Sequence, residues 1–339
     1  LYKKSMKVHM VCETPFGMKG NGVYTAYNDS LELLREKGDV EVVVNNEGTG
    51  DVFHSHTYGP YYFWKGRKYR GRRIFTAHVI PDSGKGSLPL WKWTMPLGRW
   101  YLKKVYEYAD VCIAISPMVA ETLREMGVHS RIVNLTNPIP VERWKFSQEK
   151  RSEGRRMLGR REEDFIVLGV GQLIERKGVE DFLEVAKSLP GLRFVWAGGR
   201  PFGPFSDGLI RIAARIATAP ENVTFTGMLG LDKMPFVYAA ADVMIFPSYQ
   251  ENCPMAPLEA AACGLPVVFR DLPEYAMLYN HPYLKTGSNE GFIDLTRRLA
   301  TDHDFFEQGK RLSEELVTQF DKNSIREQLM EIYHSLIIN

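Results

Sequence analysis

Asp242-Val-Met-Ile-Phe-Pro-Ser-Tyr-Gln-Glu251-Asn-Cys-Pro-Met-Ala-Pro-Leu-Glu259-Ala-Ala-Ala-Cys-Gly264 joins a hydrophobic run to a helical pattern through a polar loop. Asp242 to Pro247 reads as a strand. Pro254 to Ala262, stopped by Gly264, reads as a short helix. The free backbone N–H groups of that helix's first turn suit a diphosphate. Glu259, more than a turn inside, can accept hydrogen bonds from two ribose hydroxyls, and Glu251 on the loop can reach a sugar beyond the phosphates. Two solvated carboxylates near a helix start would give the same pattern, so the remainder of the chain has to decide.

On both sides of this segment, hydrophobic runs alternate with helical stretches, the pattern of parallel sheets covered on both faces. Strands are expected at Lys7 to Cys12, Val40 to Val44, Val52 to Ser55, Arg73 to Ala77, Val111 to Ile115 and Arg131 to Leu135. A second series comprises Phe165 to Val170, Phe194 to Ala197, Val223 to Phe225, Val243 to Phe246 and Val267 to Phe269. Two cores are expected, because a single core stops growing near 250–300 residues and the chain has 339. The expected division is an N-terminal domain over 6–145, a charged linker over 146–163, and a C-terminal domain over 164–315. Residues 316–339 form a final helix with Ile325, Leu329, Ile332, Tyr333 and Leu336 on one face. Residues 1–5 read as an expression remnant ahead of Met6.

The four cysteines form no C-x-x-C pair, and no secretory or spanning apolar run is found, so a reduced, cytoplasmic protein is expected. The formal charge of +2 conceals an asymmetry, since residues 61–104 hold eleven Lys or Arg against Asp82 alone. Aromatic residues interleave with these cations. Trp64, Arg67, Lys68, Arg70, Arg72, Arg73, Trp91, Trp93, Arg99 and Trp100 describe a membrane-interface surface. A nucleic-acid groove or a solvated helix face over core aromatics remain alternatives.

In doubly wound sheets, ligands bind beyond the carboxyl ends of the strands. Three other strand ends carry suitable groups. Phe16 to Gly22 holds Gly17, Gly20 and Gly22, which allow close approach to a phosphate without matching the dinucleotide fingerprint G-x-G-x-x-G. His78 follows a strand and can hydrogen-bond a sugar hydroxyl or orient an incoming nucleophile, although a lone histidine is more often structural. His54 and His56 raise a metal site, but no third ligand is in view. The turn Gly169 to Gly178 presents Arg176 and Lys177 just before a helix, where an ammonium can stabilise charge on a departing diphosphate.

Taken together, these motifs resemble the retaining glycosyltransferases of family 4, whose E-x7-E element matches Glu251 to Glu259. The resemblance implies an α/β GT-B fold: two Rossmann-like domains face each other across a cleft, and a C-terminal helix packs back on the first. It implies that Glu259 holds the ribose, Glu251 contacts the donor sugar, and Cys253, Pro254 and Met255 help hold the diphosphate. Lys177 matches the family's phosphate-binding lysine, His78 its sugar-contacting histidine, and Gly20 and Gly22 its phosphate-facing turn. Where the family often has Arg, this chain has Gln172, leaving Arg176 as a candidate replacement.

Thr76-Ala77-His78-Val79-Ile80-Pro81-Asp82-Ser83, the Gln172 to Gly178 run and Phe269-Arg270-Asp271-Leu272-Pro273 further resemble bacterial diacylglycerol glucosyltransferases. That subgroup implies glucose transfer from UDP-glucose to diacylglycerol by a protein peripheral on the inner face of the cell membrane. Partners would be an anionic membrane surface, a lipid acceptor and the nucleotide sugar, with no nucleic acid, no required cofactor and no essential metal. Alternatives are a family member acting on a soluble sugar or polysaccharide precursor, a nucleic-acid-binding protein and a nicotinamide-dependent oxidoreductase, the last opposed by the missing fingerprint. No motif sets the oligomeric state.

Overall fold

Short runs of β-branched and aromatic residues, each followed by an amphipathic stretch, build two all-parallel six-stranded sheets. The computed structural model describes residues 6–13, 22–84, 91–199 and 209–337. Gly17 and Gly20 of the glycine turn therefore lie outside the described residues. Two compact units divide the chain, the second beginning at Ile139 and giving way to the first again at Phe320.

The first unit carries β1 (Met6–Val11), β2 (Val40–Val44), β3 (Val52–Ser55), β4 (Arg72–Ala77), β5 (Val111–Ala114) and β6 (Arg131–Asn134), in the order β2-β1-β3-β4-β5-β6. Helices α1 (Gly22–Arg35), α2 (Pro60–Arg67), α3 (Trp91–Glu107) and α4 (Pro117–Glu125) connect these strands. β3 and β5 are buried along their whole length, as expected of a sheet covered on both faces.

The second unit carries β7 (Ile166–Val170), β8 (Arg193–Ala197), β9 (Val223–Gly227), β10 (Val243–Phe246), β11 (Val267–Arg270) and β12 (Leu284–Thr286), in the order β12-β11-β10-β7-β8-β9. Its helices are α5 (Val141–Trp144), α6 (Gln148–Met157), α7 (Val179–Ser188), α8 (Leu209–Ala217), α9 (Met234–Ala240), α10 (Met255–Ala262), α11 (Pro273–Leu278), α12 (Asn289–Thr301) and α13 (His303–Thr318). Phe182, Phe194, Trp196, Ile245, Val268 and Phe292 belong to its core.

The last helix, α14 (Lys322–Ile337), returns to the first unit. Ile325, Leu329, Ile332, Tyr333 and Leu336 join the core formed by Val8, Met10, Val52 and Ile113. The buried Arg326 donates from Nε to the Leu33 carbonyl at 3.1 Å.

Residues 148–157 of the stretch expected to be a linker are helical, and the stretch belongs to the second unit. Its poor hydrophobic periodicity has a physical reason: α6 is anchored by arginines. Arg151 and Arg155 bind the two carboxylate oxygens of Asp242 at 2.7 and 3.0 Å. Arg155 also donates to the carbonyls of Arg161 and Glu162. β12, three residues long, carries too short an apolar run to be read from sequence.

Candidate nucleotide-sugar site

In the second sheet the chain moves outward from β7 through β8 to β9, then crosses back to β10 on the other side of β7. The carboxyl ends of β7 and β10 flank this switch point, where open α/β sheets bind ligands. Two loops meet there. Gly178 stands in the left-handed region at φ 73°, and a Cβ on it would sit 2.2 Å from the Pro247 carbonyl oxygen, so only glycine permits this approach. Tyr249 N donates to the Arg176 carbonyl at 2.8 Å, and Ser248 Oγ lies 3.1 Å from the same oxygen.

These contacts bring Lys177 onto Glu251. Lys177 Nζ lies 2.5 Å from Glu251 Oε1, and Ser248 Oγ donates to that oxygen at 2.5 Å. Arg176 stands 3.7 Å away and donates to the Gln250 carbonyl at 2.5 Å. Burial pushes the Glu251 carboxyl up, but Lys177 and Arg176, with hydrogen bonds from Lys177 and Ser248, hold it below the ordinary carboxylate value. Burial draws the Lys177 ammonium down against the opposing pull of Glu251. With two donors and a guanidinium facing it, Glu251 remains a charged acceptor.

Behind the loop, Arg270 at the end of β11 donates to the Pro247 carbonyl at 2.9 Å and pairs with Asp181 at 3.2 Å. Its guanidinium lies 4.1 Å from the Tyr249 ring centre. Ser248 and Asp181 carry no functional reading in the sequence, and Arg270 enters it only within the Phe269 to Pro273 motif. Strand-end position pointed to Ser248 and Arg270, whereas only tertiary structure reveals Asp181.

Pro254 caps α10 without a side-chain hydrogen bond, leaving the first-turn amides beginning at Met255 unused by a capping side chain. Cys253 and Met255 are buried beside it. Glu259 is also buried, and its Oε2 accepts from Tyr238 Oη at 2.6 Å. Burial and the neighbouring Glu259 carboxylate push the Tyr238 hydroxyl well up, so it stays a donor. Gln172 is half-buried in the turn after β7 and its carbonyl accepts from Ile174 N at 2.9 Å. The cations of this turn are Arg176 and Lys177.

The first unit holds His78 immediately after β4, buried beside His56. His56 Nδ1 and His78 Nε2 are 3.0 Å apart. His54, one register position back, hydrogen-bonds Tyr333 Oη and Thr76 Oγ1, both at 2.7 Å. Burial pulls His54 and His78 down to about 3 and His56 well below its ordinary value, so all three are neutral imidazoles. Among the described residues no group of three or more His, Cys, Asp or Glu could hold a metal ion. Gly22 opens α1 and is exposed; Gly20 lies outside the described residues.

The basic aromatic segment separates into two parts. Several cations are already engaged: Arg72 and Arg73 pair with Asp110 at 3.9 and 3.5 Å. Arg67 stacks 4.9 Å from the Trp64 ring. Arg99 donates to the Glu125 carbonyl at 2.9 Å. Apolar exposure concentrates on α3, where Trp93, Leu97 and Trp100 are 84%, 68% and 58% exposed at i, i+4 and i+7 spacing. Leu102, Val105 and Tyr106 of the same helix are buried. Trp64 on α2 is also exposed, as are Lys68 and Arg70. Trp91 begins α3, and its side chain lies outside the described residues. No helix among the described residues is long and apolar enough to cross a membrane.

Two parallel Rossmann-like sheets, one with a carboxylate-lysine switch point, define a nucleotide-sugar glycosyltransferase of the GT-B fold. Solved structures share this architecture: Anabaena HepE in complex with UDP and glucose has a TM-score of 0.78 at 17% identity, covering 98% of this chain and 100% of that one. Sucrose-phosphate synthase from Thermosynechococcus elongatus has a TM-score of 0.80 at 17% identity, covering 98% and 99%.

Residues 150–302 match the family described as Glycosyl transferases group 1, and residues 26–143 that described as Glycosyltransferase Family 4. The alpha-galactosylglucosyldiacylglycerol synthase of Streptococcus pneumoniae is 32% identical over 323 residues, 92% of this chain and 86% of that protein. The processive diacylglycerol alpha-glucosyltransferase of Acholeplasma laidlawii is 28% identical over 87% of this chain and 88% of that protein. The chain belongs to glycosyltransferase family 4, alongside relatives that glycosylate diacylglycerol lipids.

Proposed function

We propose that this glycosyltransferase is a retaining enzyme that moves a hexose, glucose from UDP-glucose, to the hydroxyl of a membrane lipid such as diacylglycerol. The likeness over nearly the whole chain to two proteins named for diacylglycerol lipids carries the reading. Both names specify an alpha product. The sugar of UDP-glucose is already alpha-linked, so an alpha product requires retention. The exposed Trp93, Leu97 and Trp100 stripe supplies a surface for lipid headgroups and acyl boundaries.

In this reading α10's first turn and Lys177 hold the diphosphate, Glu259 the ribose, and Glu251 and His78 the sugar. Arg176 supplies the further cation expected where Gln172 stands. The acceptor oxygen bonds to the anomeric carbon on the face that the phosphate oxygen leaves. Its proton passes to that phosphate oxygen, and UDP departs. Lys177 stabilises the charge that develops as the bond breaks. The site calls for no metal in this scheme, because the ammonium and helix amides face the phosphates. The protein works from the cytoplasmic face of the membrane as a peripheral enzyme.

The test is incubation with radiolabelled UDP-glucose and mixed vesicles of diacylglycerol and anionic phospholipid. Label in the organic phase, released as an alpha-linked glycolipid, supports donor, acceptor and stereochemistry together. Binding of UDP-glucose without transfer to lipid overturns the acceptor. Transfer to a soluble sugar would then place the protein with its more distant relative, the D-inositol 3-phosphate glycosyltransferase of Mycolicibacterium smegmatis, 29% identical over 65% of this chain. Transfer from UDP-galactose alone overturns the hexose.

A further inference from the structure

The three histidines at the carboxyl ends of β3 and β4 form a file. Ring centres of His54 and His56 are 4.5 Å apart; those of His56 and His78 are 5.2 Å apart and stacked at 28°. The register Ser55↔Phe75 places His56 diagonally across from His78, which is why two strand-end rings meet. His54 has a partner on each ring nitrogen. His56 does not: Nδ1 faces His78 Nε2 at 3.0 Å, while its buried Nε2 has no hydrogen-bond partner.

Two imidazole nitrogens at that distance bond only when one carries a proton and the other offers a lone pair. Neutral imidazole has one of each. A proton on His56 Nε2 would be a buried donor with nothing to receive it, which is rarer and costlier than an unused acceptor lone pair. The proton therefore belongs on His56 Nδ1, which donates to His78 Nε2. His78 must then carry its own proton on Nδ1.

We propose that His56 is a positioning residue that locks His78 in the Nδ1–H tautomer, so that His78 meets the transferred sugar as a hydrogen-bond donor of fixed orientation. The assignment of a sugar contact to His78 rests on the function proposed above; the tautomer lock does not. A strand-end imidazole that can neither flip its ring nor exchange its proton site offers one donor geometry, which favours an oxygen with a lone pair available over a group that only donates. Burial keeps the pair neutral, so the lock persists through the ordinary working pH range.

The test uses the full chain labelled with 15N in its histidine rings. Ring nitrogen–carbon correlation spectra are recorded with and without UDP, and the His78 signals are identified by their loss in His78→Gln. The expected wild-type spectrum shows a protonated, pyrrole-type Nδ1 and a pyridine-type Nε2 for His78, and a protonated Nδ1 for His56. In His56→Leu the donor to His78 Nε2 is gone, and the His78 signals shift toward the other tautomer or a mixture. His56→Asn keeps an amide N–H close to the place of Nδ1–H and restores the wild-type pattern. Sugar transfer should follow the spectra: kcat falls on the order of ten- to a hundredfold in His56→Leu, the scale of a displaced reacting group, and recovers in His56→Asn.

UDP affinity, read in the second unit, stays constant in both variants. A protonated Nε2 on wild-type His78, or an unchanged His78 spectrum in His56→Leu, overturns the lock. If the spectra behave as expected while kcat is insensitive to both His56→Leu and His78→Gln, the lock stands and the sugar contact assigned to His78 is overturned.

Discussion

Lys177 Nζ and Glu251 Oε1 are 2.5 Å apart at the switch point of the second sheet, so the lysine assigned to phosphate and the carboxylate assigned to sugar are directly bonded. Both side chains are mostly buried, at 15% and 8% exposure. Lys177→Ala leaves the carboxylate facing only Arg176 and Ser248. The expected loss of stability is about 2–3 kcal/mol, below the ~3–5 kcal/mol of a fully orphaned buried charge. Transfer should fall on the order of a hundredfold or more, since the proposed mechanism assigns charge stabilisation to Lys177. The double variant Lys177→Ala/Glu251→Ala should recover part of the stability and none of the activity, because two bonded residues are not additive. Urea unfolding alongside initial rates checks both; a double variant no more stable than the single one would show that the ion pair is not what holds the loops.

Glu259→Ala should raise the donor KM strongly while the protein remains folded, since the proposed function assigns the ribose to Glu259. Tyr238→Phe removes only the hydrogen bond to Oε2 at 2.6 Å. It should raise KM more modestly, at a cost of about 1.5–3 kcal/mol for a hydrogen bond to a charged group. Equal donor KM for Glu259→Ala and wild type would remove the ribose role.

How much of this was legible beforehand depends on where each residue gets its meaning. Strand existence was readable because β5 and β10 are unbroken apolar runs. The helical character of 148–157 was not. Its burial comes from Arg151 and Arg155 reaching Asp242, and arginines that pair in the folded state look solvated in sequence. His78 is visible as a strand-end residue, and His56 reads from sequence only as a candidate metal ligand. Its pairing with His78 depends on the β3–β4 register, which no local pattern announces. Ser248 lay inside the quoted segment but carries no distinctive spacing; its role becomes apparent only when β7 and β10 lie side by side.

Acid should destabilise the first unit through its buried histidines. Burial holds His54 and His78 at about 3 in the folded protein, against 6.5 for the ordinary side chain. Between those values the unfolded chain binds protons that the folded one excludes, so stability falls as pH drops from 6.5 toward 3. The slope is about 1.4 kcal/mol per pH unit for each histidine. His54→Asn should flatten the dependence between pH 6.5 and 4.5 in denaturant titrations. An identical slope in wild type and variant would assign the acid sensitivity to carboxylates instead.

Membrane attachment should depend on the α3 stripe more than on the neighbouring arginines. Trp93, Leu97 and Trp100 are exposed along one face, whereas Arg72 and Arg73 are already paired with Asp110. Replacing the three apolar residues by serine should abolish binding to anionic vesicles in flotation assays while UDP affinity stays constant. The loss of two indoles and a leucyl side chain removes apolar burial of roughly 1.5–3 kcal/mol per residue at most. Arg72→Gln/Arg73→Gln should weaken vesicle binding less. Because the carboxylate of Asp110 then loses its cations, that variant should show a small loss of thermal stability instead. Raising salt separates the contributions further, since screening weakens cation–headgroup attraction and leaves apolar insertion largely intact. Vesicle binding that survives the serine replacements but disappears with the arginine pair or with salt would move the membrane contact off α3 and onto the charged segment.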